Sequence, residues 1–116
     1  MKDRRKDRRR QLYLYLKIYD KATSASLGNL VDISTRGIMV LTEQPLPENT
    51  LYHLRMVLPG NIMAQEEFIF DAVSRWSHID TINPEYFNTG FRFVGLSPAD
   101  ESLIERLIEE VGFLDI

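Results

Sequence analysis

Cysteine is absent from this chain of 116 residues, which removes disulfides, thiolate metal sites and a cysteine nucleophile from the candidate chemistries. Histidine is nearly absent too. His53 and His78 stand 25 positions apart, outside any ligand-spaced cluster such as H-x-x-x-H. No apolar run approaches the roughly 18–20 residues that span a bilayer. The basic start leads into alternating Leu and Tyr, not a continuous apolar signal segment. No G-x-S-x-G elbow surrounds Ser34, and the pairs Glu66-Glu67 and Glu109-Glu110 read as solvated faces. The expectation is a cytoplasmic protein without membrane insertion, with no catalytic residues, no metal and no cofactor, and therefore not an enzyme.

What is present is an uneven distribution of charge. Residues 1–10 carry seven Lys/Arg and two Asp, a net +5, while residues 11–116 carry a net −8. Such a basic arm on an acidic body points to an anionic partner for the arm. It should be mobile until something neutralises it. The chain as a whole is 44% apolar and 27% charged, which suits one globular domain with one core. The expected division is a basic arm over 1–11, a β-rich body over 12–96 and a C-terminal helix and tail over 97–116.

Leu12, Leu14, Leu16 and Ile18 alternate with Tyr13, Tyr15 and Lys17, the pattern of a strand with one buried face. DKATSASLGN reads as a connection, and LVDIS and GIMVLT as two strands joined through Ser34–Gly37. LYHLRMVLP places Tyr52, Leu54, Met56 and Leu58 on one side and His53 and Arg55 on the other, before a Pro59-Gly60-Asn61 turn. FIFDAVSRW is strand-like, INPEYFNTG reads as a connection, and GFRFVGL as the last strand.

The period then changes. Ser97 is a candidate N-cap, Pro98 suits the first helical position and Asp100 completes a capping box. Leu103, Ile104, Leu107, Ile108 and Val111 share one helical stripe, Gly112 is placed to stop the helix, and Phe113, Leu114 and Ile116 are expected to cap the core, the alternative being that they continue into an interface. About six strands and one amphipathic helix imply a small barrel or sandwich with the helix packed on it.

Two motifs remain: Arg4-Arg5-x-x-x-Arg9 and Asp32-x-Ser34-x-x-Gly37. Taken alone, the second is an acceptable tight turn in which Asp32 and Ser34 bond nearby amides and Gly37 takes a positive φ. Together and in this order, followed by LYLYLKIYD, GIMV, FDAVSRW and NTGFRFVGLSPADESLIERLIEE, they resemble the PilZ domain, a bacterial receptor family for cyclic di-GMP. The resemblance spans essentially the whole chain. It implies a mainly β fold, a small six-stranded antiparallel barrel with a C-terminal amphipathic helix and a flexible basic N-terminal arm.

The resemblance also implies a ligand clamp. Arg5 and Arg9 map to the family's R-x-x-x-R, although Arg4 and Arg8 satisfy the same spacing. Arg4 then occupies the place that the family associates with an intercalated ligand dimer. A guanidinium fork suits both phosphate and the O6/N7 edge of guanine. The Asp32 carboxylate suits the N1 and N2 donors, Ser34 donates or accepts beside it, and Gly37 lets backbone approach a flat base.

The function expected is a cyclic di-GMP receptor whose arm rearranges to signal to an unidentified downstream effector protein. One alternative is a PilZ-like interaction module that binds no ligand. Another is a basic-arm binder of nucleic acid or an anionic surface, which the acidic body disfavours.

Overall fold

In a computed structural model of the chain, residues 16–60 and 63–111 are described. They form six strands and one helix: β1 (Lys17–Asp20), β2 (Ser26–Ile33), β3 (Gly37–Thr42), β4 (Leu51–Val57), β5 (Glu67–Ile79), β6 (Phe87–Val94) and α1 (Pro98–Val111). The strands close into a barrel in the order β1-β2-β3-β6-β5-β4, and every pairing is antiparallel. Leu12, Leu14, Asn61, Gly112, Phe113, Leu114 and Ile116 lie outside the described residues.

The period-two pattern is what builds the interior. In β4, Leu54 and Met56 are fully buried, and Leu58 follows them inward, while His53 faces out. In β5, Phe68, Phe70, Ala72 and Ser74 point in while Ile69 and Arg75 are exposed. Phe68 stacks on Phe70, and Phe93 meets Phe70 edge-on at 5.3 Å. Leu16 and Ile18 join this core from the β1 side.

Helix α1 starts with the expected capping box. The Asp100 amide donates to Ser97 Oγ at 3.0 Å, and the Ser97 amide donates to Asp100 Oδ2 at 3.1 Å, so two of the orphan donors at the helix start are satisfied. Ile104 and Leu107 then enter the barrel core, with Leu103 and Ile108 partly buried beside them. Among the described residues, no helix is long and apolar enough to cross a membrane.

Two expected connections are shorter than the sequence suggests. Ser26, Leu27, Gly28 and Asn29 belong to β2, where Gly28 pairs with Ile18 and Thr42. Phe87, Asn88 and Thr89 belong to β6, paired with Thr42, Leu41 and Val40 of β3. In both stretches small or polar residues mask a strand that partners on both sides supply with hydrogen bonds, so tertiary pairing overrides local propensity.

The segment between β3 and β4, interrupted by Pro45 and Pro47, is fastened by hydroxyls. Ser74 Oγ, 1% exposed, donates to the Pro47 carbonyl and accepts from the Thr50 amide at 3.1 Å. Ser77 Oγ accepts from the Leu46 amide and bonds Thr89 Oγ1, which in turn meets Thr42 Oγ1 at 3.1 Å. Replacing Ser74 by Ala strips both the Pro47 carbonyl and the Thr50 amide of a partner in a nearly closed site. The expected loss is about 1–3 kcal/mol in urea unfolding; a loss under about 0.5 kcal/mol would show that the segment is held otherwise.

Candidate ligand-binding cleft

Regular alternation in β2 and β5 would turn two side chains inward. Leu30 points into the barrel, so Asp32 two residues on should follow it, and Trp76 should follow Ser74 in the same way. Neither does, because each strand carries a bulge. The β2–β3 register shifts between Leu30 and Asp32, leaving Val31 as the extra residue. The β5–β6 register shifts between Ser74 and Trp76, leaving Arg75 as the extra residue. A bulge of this kind re-aims the side chains that follow it, and here it brings Asp32 and Trp76 to the outer surface.

They arrive in one transverse row. Asp32 is opposite Met39, Met39 is opposite Gly90 and Gly90 is opposite Trp76, so the row crosses β2, β3, β6 and β5. It is the floor of a cleft of about 490 Å³ whose walls include Ser34, Arg36 and Gly37 from the β2–β3 turn, and Arg75 and Arg92. Met39 lies on the outer face by its register, yet is only 9% exposed.

Each signature residue has a local duty. Asp32 is half-buried, and its Oδ1 accepts the Ile33 amide at 2.9 Å. Ser34 Oγ accepts the amides of Arg36 at 3.1 Å and Gly37 at 3.3 Å, while the Ser34 amide donates to the Gly37 carbonyl at 2.9 Å. These bonds close the turn and aim Arg36 at the cleft mouth. The Arg36 carbonyl accepts from the Phe93 amide at 2.9 Å, which ties the turn to β6.

Gly37 corrects one expectation. It is not among the residues with positive φ, so the turn does not need its left-handed freedom. Glycine is needed there because a Cβ would overlap the Phe91 carbonyl oxygen across the β3–β6 ladder. The close approach that Gly37 permits is to the neighbouring strand.

Gly90 has the matching task on the other side of the cleft. A Cβ there would overlap Nε1, Cε2 and Cζ2 of the Trp76 indole, so the missing side chain is the space in which the tryptophan lies. This leaves a flat, half-buried aromatic ring, a carboxylate and three exposed arginines, Arg36, Arg75 and Arg92, around one concavity. Such a set offers a stacking platform, cationic forks for anionic oxygens and an acceptor for N–H donors.

Asp32, Ser34 and Gly37 are therefore brought together as the motif spacing suggests. Arg4, Arg5 and Arg9 lie outside the described residues. Arg36, Arg75, Trp76 and Arg92 escape sequence reasoning, since strand pairing, not spacing, collects them. His53, the other histidine of a strand face, bonds Asp71 Oδ1 through Nδ1 at 2.6 Å in an exposed pair away from the cleft. Among the described residues no group of His, Asp and Glu is placed to hold a metal ion.

The model of the PilZ domain family matches residues 3–110. Among solved structures, the PilZ domain of Escherichia coli YcgR with c-di-GMP matches with a TM-score of 0.60 and 23% identity, over 90% of each chain. Apo MrkH of K. pneumonia matches at 0.68 and 18%, over 95% of this chain and 52% of that one. The Bacillus subtilis inhibitor of motility, MotI/DgrA, matches at 0.63 and 17%, over 88% and 48%. This chain thus spans about half the length of the last two. At these identities the likeness is one of fold. No curated protein matches the sequence.

Gly37→Ala and Asp32→Ala should part company in a melting experiment. The first forces β3 away from β6 and should cost about 2 kcal/mol or more, lowering Tm by about 8 °C or more. The second should shift Tm by only a degree or two. Equal, small shifts would show that the turn tolerates a side chain at Gly37.

Proposed function

The chain belongs to the PilZ domain family, and on that premise we propose that it is a receptor for cyclic di-GMP. The observation that carries this reading is the transverse row, which sets Asp32 and Trp76 on the same outer face as Ser34 and three arginines. In this reading the Asp32 carboxylate accepts from the N1 and N2 donors of a guanine, and Trp76 carries a base on its ring. Arg36, Arg75 and Arg92 meet phosphate oxygens or the O6/N7 edge.

The arm supplies the other half of the clamp through Arg5 and Arg9, with Arg4 placed for a second, intercalated ligand molecule. Its seven cationic residues repel one another until phosphates neutralise them. Ligand therefore gives the arm a reason to fold over the cleft, and the energy available is the difference in ligand affinity between the two arm states. The new surface formed by arm and ligand is what an effector protein would read. The activity is binding without turnover, in a cytoplasmic protein. YcgR, whose PilZ domain is solved with c-di-GMP, supports the choice of ligand.

The duties of Ser34 and Gly37 inside the turn favour a second reading, in which the motif is kept by the fold and the domain serves only as a protein-interaction module. Calorimetric titration with cyclic di-GMP separates the two. Saturable binding is expected, weakened about tenfold to a hundredfold by Asp32→Ala and by a similar factor in Trp76→Ala. Arg5→Ala and Arg9→Ala should abolish it. A stoichiometry near two would assign Arg4 its role. Absence of heat at all ligand concentrations would leave the interaction module as the function. Hydrogen exchange over residues 4–10 should slow when ligand is added; unchanged exchange would contradict the arm's rearrangement.

A further inference from the structure

The Trp76 indole is held from two sides. Its nitrogen-bearing edge lies over Gly90, as described above. Its face meets the imidazole of His78, with ring centroids 5.0 Å apart and planes 24° from parallel. Residues i and i+2 of a strand project to the same side, so strand geometry makes the stack accessible. The bulge at Arg75 makes it face outward. Trp76 lines the cleft and His78 does not. The imidazole therefore lies on the side of the indole away from the cleft.

His78 is itself anchored at the end of the β5–β6 hairpin. It pairs with Asn88 of β6, and Asn88 Nδ2 donates to Asp80 Oδ1 at 2.7 Å. Asp80 Oδ2 accepts the Asn83 amide at 2.8 Å, and the Asp80 amide donates to the Tyr86 carbonyl at 2.9 Å. The backbone that carries the imidazole is thus fastened within two residues of it.

We propose that His78 is a positioning residue for ligand: by stacking on the rear of Trp76 it holds the indole facing the cleft before any base arrives. The proposal rests on the reading of the cleft as a cyclic dinucleotide site. The physical need is plain. Gly90 sets how low the indole can lie, but with no side chain it offers nothing to stop the ring from turning. Arg75, the other neighbour on β5, is an exposed, flexible cation on the cleft side. A flat ring stacked on the indole limits its rotation, and aromatic pairs favour offset stacking of this kind. A platform ordered in advance spares the ligand the entropic cost of ordering it. His78 need not touch the ligand to do this.

The test compares His78→Ala and His78→Phe with the unsubstituted chain, each titrated with cyclic di-GMP by calorimetry. His78 is exposed, so both variants should fold, which far-UV circular dichroism verifies. His78→Ala should bind about three- to tenfold more weakly, and His78→Phe, which restores a flat ring but no polar atom, should bind within about twofold of the original. Because Trp76 is the sole tryptophan of the chain, its near-UV circular dichroism reads the order of the ring without ligand. That band should fall in His78→Ala and persist in His78→Phe.

Unweakened binding by His78→Ala, or equal weakening in both variants, would overturn the proposal while leaving the ligand reading intact. An unchanged tryptophan band in His78→Ala would overturn it as well. No binding by the unsubstituted chain would overturn the ligand reading itself, and with it the reason for holding the ring.

Discussion

Two inserted residues decide which way the site faces. Without Val31 in β2 and Arg75 in β5, period-two alternation would send Asp32 and Trp76 into the barrel. A carboxylate and an indole N–H would then be turned into the barrel and stripped of water, at a desolvation cost. The bulges convert a strand that only fills a core into one that also presents chemistry. They do so in β2 and β5, the outer two of the four adjacent strands that make the cleft. The resulting row from Asp32 to Trp76 depends on both.

Glycine completes what the bulges begin. Gly37 lets β3 approach β6 closely, and Gly90 leaves the hollow that Trp76 occupies. Both act through absent side chains, and both lie on the middle pair of strands. Serine provides the fastening: Ser34 closes the turn beside the cleft, while Ser74 and Ser77 hold the segment ahead of β4 from inside the barrel. A closed barrel presents no sheet edge, so the surface it offers to ligands and partners is made of outward side chains, and the cleft concentrates the cationic and aromatic ones.

Much of this is legible in the sequence where one segment contains its own signal. Leu54, Met56, Phe68 and Phe70 alternate as a strand with one buried face does, and Ser97-Pro98-Ala99-Asp100 announces the helix start. Asp32, Ser34 and Gly37 are found by spacing alone. What spacing cannot show is pairing between distant segments. Phe87, Asn88 and Thr89 read as a connection because nothing local says that β3 and β5 flank them. Gly37 invites an explanation by backbone freedom, whereas its neighbour is Phe91, more than fifty residues away. Arg36, Arg75, Trp76 and Arg92 join Asp32 only when the barrel closes, and a bulge is invisible in an alternation pattern that simply slips by one. The helix stripe was legible because its period is interrupted by neither.

The proposed receptor takes its ligand on one outer row that spans four strands. Mapping amide and indole chemical shifts by NMR during titration with cyclic di-GMP tests it most directly. The account predicts that Ser34, Met39, Gly90 and the Trp76 indole N–H shift together along one saturation curve, while Val57 and Ile69, on the outer surface of β4 and β5 away from the cleft, stay in place. Shifts centred on β4 and the exposed face of α1, with Met39 and the Trp76 indole unmoved, would contradict it.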